Sequence, residues 1–186
     1  MLSKENFRKV CLNSFKQEPK HNRLYRTKKI NQQLFKALKK VKHKKRILFY
    51  YPLGFEADIV QTLKNCRKKY EIVIPFMQGK SFKMVPFRFP LKQKKFGIFE
   101  AGDSHRVIKN VDVAIVPVIG VDGNFQRIGF GKGMYDRFFA TLAQKPYTIF
   151  IQPKLCFTKK YICDSYDISC DILLTPTKKI DRKNRC

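Results

Sequence analysis

Five short apolar runs punctuate the chain: RILFYYP (46–52), YEIVIP (70–75), DVAIVPVIGV (112–121), YTIFIQ (147–152) and DILLT (171–175). They are short and rich in β-branched and aromatic residues, the pattern of strands buried on both faces. Helical spacing precedes and separates them. Residues 3–16, SKENFRKVCLNSFK, put Phe7, Val10, Cys11 and Phe15 on one side behind Ser3 as the cap, and 23–41 repeats the pattern with Ile30, Leu34, Leu38 and Val41. EADIVQTLKNC (56–66) reads as a helix between the first two runs, and MYDRFFATLA (134–143) as another. Strand, helix, strand in that order requires a parallel crossover. The expected fold is therefore α/β: three layers, α/β/α, with a mostly parallel central sheet in a Rossmann-like arrangement. Residues 79–100 are expected to form irregular or hairpin structure across that sheet.

No repeat or long linker interrupts the 186 residues, so one domain over 1–186 is the simplest organisation. No apolar run approaches the ~20 residues of a membrane span, and the start, MLSKENFRK, is polar. A soluble, cytoplasmic monomer is expected. The six cysteines include no C-x-x-C pair, which argues for reduced, idle thiols, and the even spacing of Cys156, Cys163 and Cys170 is a weak metal signal. The net charge of +26 invites a nucleic-acid partner. Its lysines and arginines, however, are scattered in short runs such as KQKK (92–95), which reads as solvated surface with a preference for small polyanions.

One stretch stands apart: RIGFGKGMYDR, 127–137, between a strand and a helix, where an α/β sheet presents its ligand loops. Glycines at 129, 131 and 133 allow close backbone approach to an anion, the following helix start adds unpaired N–H donors, and Arg127 and Lys132 add charge. Together these features ask for phosphate. The spacing is neither a P-loop nor a dinucleotide fingerprint, and alone it also fits a plain helix-entry turn.

The segment VPVIGVDGNFQRIGFGKGMYDR resembles the signature of the 5-formyltetrahydrofolate cyclo-ligase family. Lys4 and Arg8 match that family's N-terminal K-x-x-x-R, YYPLGFEADI its tyrosine-proline segment with a following acid, FGIFEAG its G-I-x-E-P, and DSYDISCDILLT its closing H-D-x-x-x-D-x-I-x-T. Met134, Gly120-Val121, Ala101 and Tyr166 depart from the usual pattern.

The resemblance implies an enzyme that uses MgATP to phosphorylate the formyl oxygen of 5-formyltetrahydrofolate. N10 then closes the ring to 5,10-methenyltetrahydrofolate, and ADP and phosphate are released. It implies ATP contacts from Lys4, Arg8, Arg127, Gly129, Phe130, Gly131, Lys132, Gly133, Met134 and Tyr135. Folate contacts are implied for Tyr51, Glu56, Phe130, Lys132 and Met134, and Mg2+ ligands at Asp136 and Asp171. Tyr50, Met84, Phe87 and Phe89 are further candidates for pterin walls. No side-chain nucleophile is expected: His21, His43 and His105 form no triad, and no G-x-S-x-G elbow occurs. A polyglutamate tail on the folate would be attracted by a basic surface. Two other readings fit the residues, a basic RNA-associated protein and a different ATP-dependent or phosphosugar enzyme on a similar scaffold.

Overall fold

The computed structural model describes residues 2–94 and 97–184. Lys95 of the KQKK run, Phe96 of FGIFEAG and the thiol of Cys186 lie outside the described residues.

A seven-stranded sheet runs in the order β11-β10-β9-β6-β1-β2-β3. Its five inner strands, β1 (Arg46–Leu48), β2 (Glu71–Gln78), β6 (Val113–Pro117), β9 (Tyr147–Ile151) and β10 (Ile172–Leu174), are parallel to one another. The edges, β3 (Ser81–Pro86) and β11 (Lys179–Asp181), are antiparallel to their neighbours. Two small ribbons stand beside the sheet: β4 (Lys92–Gln93) with β5 (Phe99–Glu100), and β7 (Gly120–Val121) with β8 (Arg127–Ile128).

The period-two alternation of strand side chains divides the core. Ile47, Ile72, Ile74, Val113, Ile115, Ile149 and Ile172 face one way, towards α2 (Arg23–Lys40) and α3 (Val60–Cys66). Leu48, Val73, Ala114, Val116, Phe150 and Leu173 face the other, towards Tyr135 and Phe138 of α4 (Met134–Ala140). The α/β layering expected from the sequence is thus present. Ser3 caps α1 (Lys4–Lys16), accepting from the Asn6 N–H. That helix packs through Phe7 and Cys11 on Ile119 and Ile128 of the β7–β8 ribbon.

Three expectations are corrected. The hairpin part of 79–100 does not lie across the sheet: β3 pairs with β2 and extends it. The run 112–121 is not one strand, because the chain leaves the sheet after Pro117 and turns into β7. The thiols are not all reduced: Cys11 and Cys156 form a disulfide across 145 residues, which also removes Cys156 from any metal site with Cys163 and Cys170. Cys66, Cys163 and Cys170 are free.

Candidate functional site

β2 and β6 flank β1 on opposite sides; the chain runs on from β1 to β2 in one direction and from β6 to β9 in the other. The carboxyl ends of β1 and β6 therefore meet at a switch point, where α/β sheets open a crevice. The turn after β1 carries Glu56. The β7–β8 ribbon after β6 leads into the glycine loop 129–133.

The loop's shape depends on what its residues lack. Gly133 has a φ of 57° and begins α4 without a side-chain cap. A Cβ on Gly129 would lie 2.3 Å from the Arg127 guanidinium, so only glycine lets that side chain pass beneath the loop. From above, Arg8 Nε donates to the Gly129 carbonyl at 2.6 Å. The helix bearing the N-terminal cations therefore closes on the loop.

These parts wall a cleft of about 1290 Å³. Cations reach it from α1 (Lys4, Arg8), from β8 (Arg127) and from Lys132, Arg137 and Arg182, beside Gly129, Gly131 and Gly133. Acids face them. Lys4 Nζ pairs with the buried Asp167 and, at 3.1 Å, with Asp164. Burial alone would lower the Lys4 pKa, but its hydrogen bonds to the two carboxylates and the charge of Asp167 carry it above the ordinary lysine value. Arg127 Nη1 lies 3.3 Å from Asp136 Oδ2, with both side chains nearly buried, and the guanidinium sits 5.0 Å from the centre of the Tyr135 ring.

A second apolar pocket, closed down to about 10 Å³, lies beside the cleft, lined by Phe15, Phe55, Glu56, Ile119 and Phe130 among others. Phe55 and Phe130 meet at its mouth with ring centroids 4.8 Å apart. Glu56 Oε2 accepts the Leu53 N–H at 2.9 Å, and burial raises this carboxyl to about 7. The loop divides the two spaces: Gly129 and Gly131 face the cationic cleft, while Phe130 between them faces the apolar pocket.

Of the residues singled out from sequence, Lys4, Arg8, Arg127, Gly129, Gly131, Lys132, Gly133, Asp136 and Asp171 come together around the cleft. Glu56 and Phe130 meet in the pocket. Three others lie elsewhere. Met134 packs against the α4 side of the core, Tyr135 is buried there against Phe82, and Tyr51 rests on Phe99. Burial pushes the Tyr135 phenol up. Tyr50, Met84 and Phe87 are core side chains, and Phe89 meets Phe87 edge to face outside both cavities.

Among the described residues no three His, Cys, Asp or Glu side chains cluster to hold a metal ion. Asp136 also accepts the Ile168 N–H at 3.3 Å, and Asp171 Oδ2 accepts the Thr148 N–H at 2.7 Å. Both remain hard carboxylate donors beside the cleft. That chemistry suits magnesium, which keeps waters and phosphate oxygens and needs only one or two carboxylates.

Among the residues that the sequence reading passed over, Asp122 has the most partners. Fully buried, it accepts Asn124 and Gln126 N–H groups on Oδ1 and Ile162 and Cys163 N–H groups on Oδ2. It ties the ribbon that carries Arg127 to the segment that carries Asp164 and Asp167. Its Asp-Gly turn was visible in the sequence, but its partners 40 residues on were not.

A family model for the 5-formyltetrahydrofolate cyclo-ligase family matches residues 1–176. A curated 5-formyltetrahydrofolate cyclo-ligase from Mycoplasma pneumoniae is 30% identical over 69 residues, so that the match spans only 38% of that relative. The NMR structure of Aquifex aeolicus 5,10-methenyltetrahydrofolate synthetase superimposes with a TM-score of 0.82 at 26% identity, covering 98% of this chain and 94% of that one. The 5,10-methenyltetrahydrofolate synthetase of Mycoplasma pneumoniae shares the fold, with a TM-score of 0.72 at 21% identity over 94% of this chain and 99% of the other. With the match running over nearly its whole length, from the N-terminal cations through the glycine loop to the last parallel strand, the chain belongs to the 5-formyltetrahydrofolate cyclo-ligase family of enzymes.

Proposed function

We propose that this protein, acting as a single domain over 1–186 and as a monomer, converts 5-formyltetrahydrofolate to 5,10-methenyltetrahydrofolate at the expense of ATP. The observation that carries the reading is the loop with two sides: a cationic cleft able to hold a triphosphate lies across the loop from a narrow apolar pocket with the Glu56 carboxyl in its wall, and the exposed Phe55 and Phe130 rings would part to admit a flat heterocycle there. A phosphoryl donor and a flat heterocycle bound on the two sides would approach each other at the loop.

The chemistry asks little of the protein beyond positioning and charge. The γ-phosphoryl group passes to the formyl oxygen, turning a poor leaving group into a good one. N10 attacks the formyl carbon, the C–N bond closes the ring, and the C–O bond breaks to release phosphate. Lys4, Arg8, Arg127 and Lys132 hold the phosphates, together with backbone N–H groups at Gly129, Gly131 and Gly133. Glu56 accepts N–H donors of the pterin, and Phe55 and Phe130 cover its ring.

Asp136 and Asp171 would hold Mg2+ in company with phosphate oxygens, and the ion would offset charge on the transferring group. The Arg127–Asp136 pair supplies one binding group of each sign: once loosened, the guanidinium serves phosphate and the carboxylate serves the cation. Met134 and Tyr135, at the start of α4, support the loop from the core.

The test is an absorbance assay for the methenyl product with the purified full chain, with and without MgATP. Product should form only when both 5-formyltetrahydrofolate and MgATP are present, with one ADP released for each product molecule. A folded sample that leaves the folate unchanged would sink the assignment.

A further inference from the structure

The basic charge has one local concentration that the cleft does not account for. α2 buries Ile30, Leu34, Ala37 and Leu38 against the face of the sheet opposite α4. Its other side is open. At ~100° per residue, Leu24, Lys28, Phe35 and Lys39 line up in one row, and Tyr25, Lys29, Gln32 and Lys36 in the next.

Leu24, Tyr25 and Phe35 are 84%, 57% and 41% exposed. Lysines ride on the rings: Lys29 Nζ lies 5.4 Å from the centre of Tyr25 and Lys39 Nζ 4.8 Å from that of Phe35. No Asp or Glu occurs between Glu18 and Glu56, so the helix carries no counter-charge of its own. None of these outward residues lines the cleft or the apolar pocket.

Exposed aromatic rings set among unpaired cations form a surface suited to stacking bases and neutralising phosphates at once. We propose that the outer face of α2 binds a single-stranded polynucleotide, with phosphates on Lys28, Lys36 and Lys39 and bases on Tyr25 and Phe35. The two rings stand ten residues apart, ~15 Å along the helix axis, a distance a few nucleotides span. The large apolar side chains are separated by lysines instead of joined in a stripe, and the helix's continuous apolar face is locked in the core. An acyl layer therefore has little to receive. A second copy of the chain would bring like charge to like charge. Where the sequence suggests scattered, solvated charge, the fold collects part of it on one face with aromatic rings.

The test is fluorescence anisotropy of the full chain with a labelled, unstructured RNA of about twelve nucleotides, titrated over a range of salt. Wild type should bind with affinity that falls as salt rises. Lys28→Gln, Lys36→Gln and Lys39→Gln together should lower the slope of log K against log salt by about 2. Tyr25→Ala with Phe35→Ala should weaken binding about thirtyfold or more at nearly unchanged slope. A control triple on another surface, Lys109→Gln, Lys159→Gln and Lys160→Gln, should leave affinity within about twofold of wild type. Circular dichroism of every variant checks that it is folded. The proposal is overturned if the control triple weakens binding as much as the α2 triple, if the aromatic pair has no effect, or if phosphatidylserine vesicles are bound and the RNA is not.

Discussion

Glu56 stands in the folded protein with its carboxyl raised by burial to about 7, against an ordinary value of 4.5. It holds its proton more tightly when folded than when unfolded. Its contribution to stability is therefore complete below about pH 4.5 and is lost as pH rises through about 7. Glu56→Gln removes that dependence: its stability relative to wild type should rise by about 2–3 kcal/mol across this window, read by thermal melts at several pH values. Identical pH profiles would place the titration elsewhere. Asp122 acts differently, since its carboxylate satisfies four backbone N–H groups. Asp122→Ala would leave those donors unmet in a closed interior, and denaturant unfolding should show a loss of about 3 kcal/mol or more. Gly129→Ala sets a methyl against the Arg127 guanidinium and should reduce turnover about tenfold or more while the melting temperature changes little. A collapse in melting temperature would instead make Gly129 a structural residue only.

α1 reaches the loop by three attachments: Phe7 and Cys11 in an apolar cluster, the Arg8 bond to the Gly129 carbonyl, and the disulfide to Cys156. Gly120 contributes by absence, because a Cβ there would lie 2.9 Å from the Phe7 ring. Gly120, one of the positions set apart from the family resemblance, thus coincides with close seating of the helix. Closing a loop of 145 residues restricts the unfolded chain, so reduction should lower stability by about 2–4 kcal/mol in denaturant titrations. Elements whose pattern is local were legible in the sequence. α1 showed its capping Ser3 and apolar spacing, and the inner strands showed their apolar runs. Elements defined by distant partners were not. β3 needed β2 to join the sheet, β7 needed β8 and α1, and the Cys11–Cys156 bond joins segments that neither spacing nor composition brings together.

At the scale of the molecule, the strand order sets β1 and β6 side by side with their connections leaving in different directions, and the cleft and the apolar pocket open where they part. The cationic side of this site was the more legible half, because the glycines, Arg127 and Lys132 stand in a few adjacent letters and the family resemblance pointed to Lys4 and Arg8. The apolar side was not. Phe55 looked like any loop residue, whereas Tyr50, Met84 and Phe87, which suggested pocket walls, fill the core. A side chain's direction relative to a sheet depends on register, and register is a property of pairs of strands. The central claim is that the glycine loop and α1 together bind the nucleotide's phosphates, and calorimetric titration of MgATP tests it most directly. Replacing Arg8 and Lys132 with Ala should weaken ATP binding by about tenfold or more in protein that still folds; an affinity equal to that of wild type would contradict the claim.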